Sequence, residues 1–110
     1  MIIENSETLT VITPEKKQID VTNANDFGNQ LSDAVENGTR FILNLREVTF
    51  MDSSGLGKII SALRKCNEKG HTMVICHVSD AVRVLFDMVR LSQIADLYET
   101  LADAEKALTE

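Results

Sequence analysis

Strands alternating with amphipathic helices, a central apolar run with no exposed alternation, and a length suited to one core predict an α/β domain. Its sheet is expected to be mixed and mostly parallel, with about four to five strands and about four helices. The chain has 110 residues, 44% of them hydrophobic, and is read as one domain over residues 1–110. Thr8-Leu9-Thr10-Val11-Ile12 alternates and is rich in β-branched residues, which predicts a strand stopped by Pro14. Gln18-Ile19-Asp20-Val21 predicts a short second strand, and Thr22 or Asn23 is placed to cap the helix that follows. Ala24, Phe27, Leu31, Ala34 and Val35 give that helix one apolar face, and Asn37-Gly38 supplies a left-handed stop.

Arg40 to Leu45 predicts the central strand, because a strand buried on both faces reads as a continuous apolar run. After it, Leu56, Ile59, Ile60, Leu63 and Cys66 recur at helical spacing, with Asp52 or Ser53 as N-cap and Lys69-Gly70 as stop. Thr72 to His77 predicts a further strand. Ser79 or Asp80 caps a helix whose apolar face is Val82, Leu85, Phe86 and Val89. Ile94 to Tyr98 predicts a last short strand, and Leu101, Ala104, Ala107 and Leu108 line a C-terminal helix. Met51, Met73 and Met88 are expected in the core or at its rim. Lys58, Arg64 and Lys65 are expected on a solvated helix face, and Asp103, Glu105 and Glu110 in an acidic end.

A net charge of −6 disfavours direct contact with nucleic acid or anionic membrane, since both need a basic surface. No apolar run approaches the ~20 residues of a membrane span. Met1 to Glu7 lacks the basic and apolar segments of a secretory signal, so a cytoplasmic protein is expected. Cys66 and Cys76 continue apolar runs and are expected as buried, reduced thiols. His71 and His77 stand outside any ligand spacing and are expected to be solvated or hydrogen-bonded. Neither a metal nor a cofactor is expected.

The chemistry concentrates at Phe50-Met51-Asp52-Ser53-Ser54-Gly55-Leu56-Gly57, where an apolar run meets a helix start. Two glycines in a first turn are costly, at up to about 1 kcal/mol each relative to alanine. Bare backbone is therefore wanted there, either by a neighbouring loop or by a partner. The stretch lacks the Gly-x-Ser-x-Gly elbow of a serine hydrolase and the Lys-Ser/Thr of a phosphate-binding loop. An exposed serine at a loop-to-helix junction does meet the modest needs of a phosphate acceptor.

Val48-Thr49-Phe50-Met51-Asp52-Ser53-Ser54-Gly55-Leu56-Gly57 resembles the phosphorylation-site motif of the bacterial anti-sigma factor antagonists, small proteins made of a STAS domain. Ala81 to Met88 is similar to that family's helix after the fourth strand. The first helix is preceded by Lys17-Gln18-Ile19-Asp20-Val21-Thr22-Asn23, where the family often has a Gly-Glu-Leu-Asp-type turn, and Asp20 aligns with the family aspartate. The resemblance implies a regulator that is not an enzyme. Unphosphorylated, it would bind a GHKL-type serine kinase that doubles as the anti-sigma factor, and so free that partner's client. Phosphorylation of Ser53 would end binding, and a PP2C-type phosphatase would reset the chain. By the same resemblance Asp52, Ser53, Ser54, Gly55, Leu56 and Gly57 form the contact loop, with Asp20 and Asn23 beside it. Ser54 is expected as a structural hydroxyl. Two alternatives stay open: a partner switch with another output, such as secretion, biofilm formation or a signalling enzyme, and a STAS domain that binds a nucleotide or other small ligand.

Overall fold

The computed structural model describes residues 1–109, so Glu110 of the expected acidic end lies outside the described residues. The chain runs β1 (Ile2–Asn5), β2 (Thr10–Thr13), β3 (Gln18–Ile19), α1 (Ala24–Val35), β4 (Arg40–Asn44) and β5 (Phe50–Met51). It continues through α2 (Ser53–Glu68), β6 (Thr72–Cys76), α3 (Asp80–Met88), a 3₁₀ turn (Leu91–Gln93), β7 (Leu97–Tyr98) and α4 (Leu101–Thr109). Five strands form one sheet in the order β1-β2-β4-β6-β7, and β3 and β5 form a separate parallel pair. Among the described residues only β1 and β2 pair antiparallel; β2, β4, β6 and β7 run parallel. The expected mixed, mostly parallel sheet with four helices is thus present.

The strand side chains alternate between two cores, as the pleat requires. Ile12, Phe41, Leu43, Met73 and Ile75 face the larger one, shared with α1, α2 and α3. Val11, Ile42, Val74 and Cys76 face the smaller one under α4. Burial on both faces explains why β4 reads as unbroken apolar sequence. Because α4 itself buries only Ala104 fully, its two ends are tied separately. The Leu101 N–H donates to His77 Nε2 (3.0 Å), and Arg40 Nη1 donates to the Leu108 carbonyl (2.7 Å). Among the described residues no helix is long and apolar enough to cross a membrane.

Several expectations need correction. Ile2–Asn5 is a strand, although no element is predicted there. It is an exposed edge, so no burial pattern marks it. Phe50–Met51 is likewise an unpredicted strand, held by pairing with Gln18–Ile19 rather than by propensity. Neither Asn37 nor Gly38 takes a left-handed conformation. Gly38 is tightly surrounded instead, since a Cβ there would lie 3.0 Å from Thr10 Oγ1 and 3.1 Å from Phe41 Cε1. Ile94 precedes the last strand and is exposed, and so are Val89 and Ala107. Met88 is 76% exposed, outside the core or rim packing expected of it, whereas Met51 and Met73 are buried.

The lysines of α2 do more than face solvent. The Lys58 stem lies across Gly28 of α1, where a Cβ would come within 2.5 Å of its Cδ. Lys65 donates to Ser32 Oγ (3.0 Å) and pairs with Glu36, which Lys69 also meets at 2.9 Å. The hydrogen bond from Lys65, then that from Lys69, lower the Glu36 carboxyl from 4.5 to about 2. A depressed carboxyl stabilises the fold above its unfolded value and loses that contribution as pH falls through the folded one. Glu36→Gln is therefore expected to lower Tm slightly at neutral pH, with the gap to wild type closing between about pH 4.5 and 2. Thermal melts across that range check this; a constant gap would mean that the pairing is not its source.

Both cysteines are free and buried, as expected. Burial pushes the Cys66 thiol up against the opposing pull of Lys65 and Lys69, and burial with Glu105 pushes Cys76 up to about 11. His71 departs from expectation: its Nδ1 is buried without a partner among the described residues.

Candidate functional site

The β3–β5 pair builds the site. Gln18 lies opposite Phe50 and Ile19 opposite Met51, and the Asp52 N–H donates to the Ile19 carbonyl (3.1 Å). The chain leaves β3 through the loop Asp20–Asn23 and leaves β5 straight into α2. Parallel pairing puts these two exits side by side. The loop is thereby brought against the start of α2 through Val21, whose N–H reaches Asp52, while the Asp20 and Asn23 side chains bond within the loop and to Gln18.

Asp52 is the N-cap of α2. Its Oδ1 accepts from the Ser54 N–H (2.9 Å) and the Gly55 N–H (3.3 Å), while Oδ2 accepts from the Val21 N–H (3.1 Å). Desolvation pushes this carboxyl upward. The hydrogen bonds from Ser54, Gly55 and Val21 outweigh it and hold the group below its ordinary value. Ser53, the first helical residue, is exposed, and Ser54 is half-buried. With Asp52 supplying the cap, the Ser53 hydroxyl is left facing outward.

The two glycines separate by role. Gly55 is buried, and a Cβ there would lie 2.6 Å from Ile19 Cγ2, 2.9 Å from Met51 Cγ and 3.1 Å from the Ile19 carbonyl oxygen. Its bare backbone serves the close approach of α2 to β3. Gly57 is exposed, with nothing within 4 Å of such a Cβ. Leu56 is buried in the larger core. The expected contact loop is therefore narrowed: Gly55 and Leu56 turn inward, and Ser53 and Gly57 are its exposed members.

In the adjoining loop, the Thr22 N–H donates to Asp20 Oδ1 (2.9 Å). Asn23 stands at the N-cap position of α1 but does not cap it through its side chain. Instead its Oδ1 accepts from the Asp20 N–H (3.0 Å), and its Nδ2 donates to the Gln18 carbonyl (2.8 Å), so it closes the loop on itself.

Exposed apolar side chains accompany these residues. Val21 in the loop is 75% exposed and Phe50 of β5 is exposed. Helix α3, which packs against β5, exposes Val84 and Met88 one turn apart. Sequence reasoning missed all four. Val84 and Met88 at i, i+4 lie off the apolar face assigned to their helix, which was the available signal. Among the described residues no group of three or more His, Cys, Asp or Glu is placed to hold a metal ion.

A family model described as the STAS domain matches residues 1–104. An anti-sigma F factor antagonist of Paenibacillus polymyxa is 40% identical over 63 residues, 57% of this chain and 54% of that protein. This chain thus matches about half the length of that relative. An anti-sigma-B factor antagonist of Staphylococcus aureus (strain NCTC 8325 / PS 47) is 31% identical over 83 residues, 74% of this chain and 77% of that one. Among solved structures, an anti-sigma factor antagonist from Mycobacterium paratuberculosis superposes with a TM-score of 0.88 at 20% identity, covering 99% of this chain and 92% of that one. The Bacillus cell-fate determinant SpoIIAA in its phosphorylated form gives 0.73 at 21% identity, with 96% of each chain covered. At those identities the structures speak for the fold alone.

Proposed function

The chain belongs to the STAS domain family, and we propose that it acts as an anti-sigma factor antagonist of the partner-switching kind, controlled at Ser53. Unphosphorylated, it binds a GHKL-type serine kinase that is also an anti-sigma factor, and so frees that partner's client. Transfer of phosphate to Ser53 ends the binding, and a PP2C-type phosphatase restores it. The observation that carries this reading is the placement of Ser53, exposed at the first position of α2 beside a half-buried Ser54. Relatives named as antagonists of anti-sigma factors support it, as does the fold shared with a protein solved in a phosphorylated form.

The chemistry asks little of this chain. The kinase brings ATP, Mg²⁺ and the base; the γ-phosphoryl group passes to Ser53 Oγ, the hydroxyl proton goes to the base, and ADP leaves. The product carries about −1.5 to −2 charges at pH 7. The helix N-terminus favours such a charge by roughly 0.3–1 kcal/mol, and the Asp52 carboxylate offsets part of that. No Lys or Arg stands between Val48 and Gly57, and the next along α2, Lys58, lays its stem across Gly28.

Incubation with a GHKL-type kinase and ATP, followed by intact mass and peptide mapping, tests the reading. One added phosphate on Ser53 is expected, lost in Ser53→Ala and kept in Ser54→Ala. Phosphate on Ser54, or none from a kinase active on another substrate, would overturn it.

A further inference from the structure

The Asp52 carboxylate holds two structures at once. One oxygen caps α2 through Ser54 and Gly55, and the other takes the Val21 N–H of the Asp20–Asn23 loop at 3.1 Å. The loop's side-chain hydrogen bonds are otherwise internal or return to β3: Thr22 to Asp20, Asn23 to Asp20 and to Gln18. They fix its shape but not its position over α2. Val21, whose N–H makes the crossing bond, carries its side chain into solvent. A Ser or Thr would cap the helix as well as Asp does. Only a carboxylate offers a second acceptor on the same rigid group.

We propose that Asp52 is a positioning residue, which pins the Asp20–Asn23 loop beside Ser53 so that Val21 and the phosphoacceptor meet the kinase as one preformed surface. This rests on the partner-switching reading above. The physical ground is preorganisation: a loop already held in its bound position loses less freedom on docking, so substrate binding is tighter while the transfer step is untouched.

Asp52→Asn separates the two tasks. Its Oδ1 still caps the helix, but its NH₂ would face the Val21 N–H, donor against donor. Asp52→Ser, which retains a cap and lacks the second oxygen, guards against an amide that turns the other way. With the GHKL-type kinase that modifies the wild type, both variants are expected to stay folded with a somewhat lower Tm, to keep kcat, and to raise KM about tenfold. Val21→Ala is expected to raise KM in the wild-type background and to add little in the Asp52→Asn background, because the pinned side chain is already lost. An unchanged KM in both Asp52 variants, or full additivity with Val21→Ala, overturns the inference and leaves Ser53 phosphorylation standing. A wild-type chain that accepts no phosphate on Ser53 defeats the partner-switching reading itself, and this inference with it.

Discussion

A chain phosphorylated on Ser53 is expected to bind its kinase about a thousandfold more weakly than the unmodified chain, a loss of about 4 kcal/mol. Docking at the Ser53 hydroxyl is expected to cover it together with the exposed side chain of Val21, whose N–H is bonded to the neighbouring Asp52. A dianion enclosed in such a contact loses its water and finds no cation of this chain between Val48 and Gly57. An unpaired buried charge costs several kcal/mol, far more than the helix N-terminus returns. Before docking, the same phosphate stands in water, so the fold itself is expected to be unchanged. Calorimetric titration of both forms against the kinase, with melting curves of each, checks the two halves. Equal affinities would mean that release depends on something other than charge at Ser53.

Gly55→Ala is expected to destabilise the fold by about 1–3 kcal/mol, and Gly57→Ala to stabilise it by about 0.5–1 kcal/mol. The substitutions are chemically identical and two residues apart on one helix. At Gly55 the added methyl meets Ile19 Cγ2 at 2.6 Å and, less yieldingly, the Ile19 carbonyl oxygen at 3.1 Å. Moving the helix away would stretch the Asp52 N–H to Ile19 bond and the cap that holds Val21. At Gly57 the methyl meets nothing within 4 Å, and only the conformational gain of alanine over glycine remains. Urea denaturation of both variants separates the signs. Stabilisation by both would show that β3 yields to the helix.

How much of this was legible in sequence follows from which interactions are local. The apolar faces of α1 and α2, the Asp52 and Ser79 caps and the Lys69-Gly70 stop lie within a few residues of their partners, and periodicity and capping rules find them. Strand β4 was legible because burial on both faces leaves a continuous apolar run. Strands β1 and β5 were not: β1 is an exposed edge, and β5 exists through its pairing with β3. In the site, the run from Asp52 to Gly57 was conspicuous by composition alone. Its division was hidden, because whether a glycine faces Ile19 or open solvent depends on the rotation of α2. The bond from Val21 to Asp52 was hidden too, since nothing in a backbone N–H marks the side chain that will accept from it.

The order of strands also governs how the chain reaches this state. Val11 lies opposite Ile42, and Ile42 opposite Val74, with a helix spanning each gap. Only the β1–β2 hairpin closes locally. Every other pairing in the five-stranded sheet waits until a long loop has been drawn together, which is expected to make folding slower than that of a helical bundle of this length. During that interval Phe41-Ile42-Leu43 has unpaired backbone on both sides, the most adhesive condition such a strand can be in. A net charge of −6 makes unfinished molecules repel one another, so the chain's acidity also guards the nascent sheet.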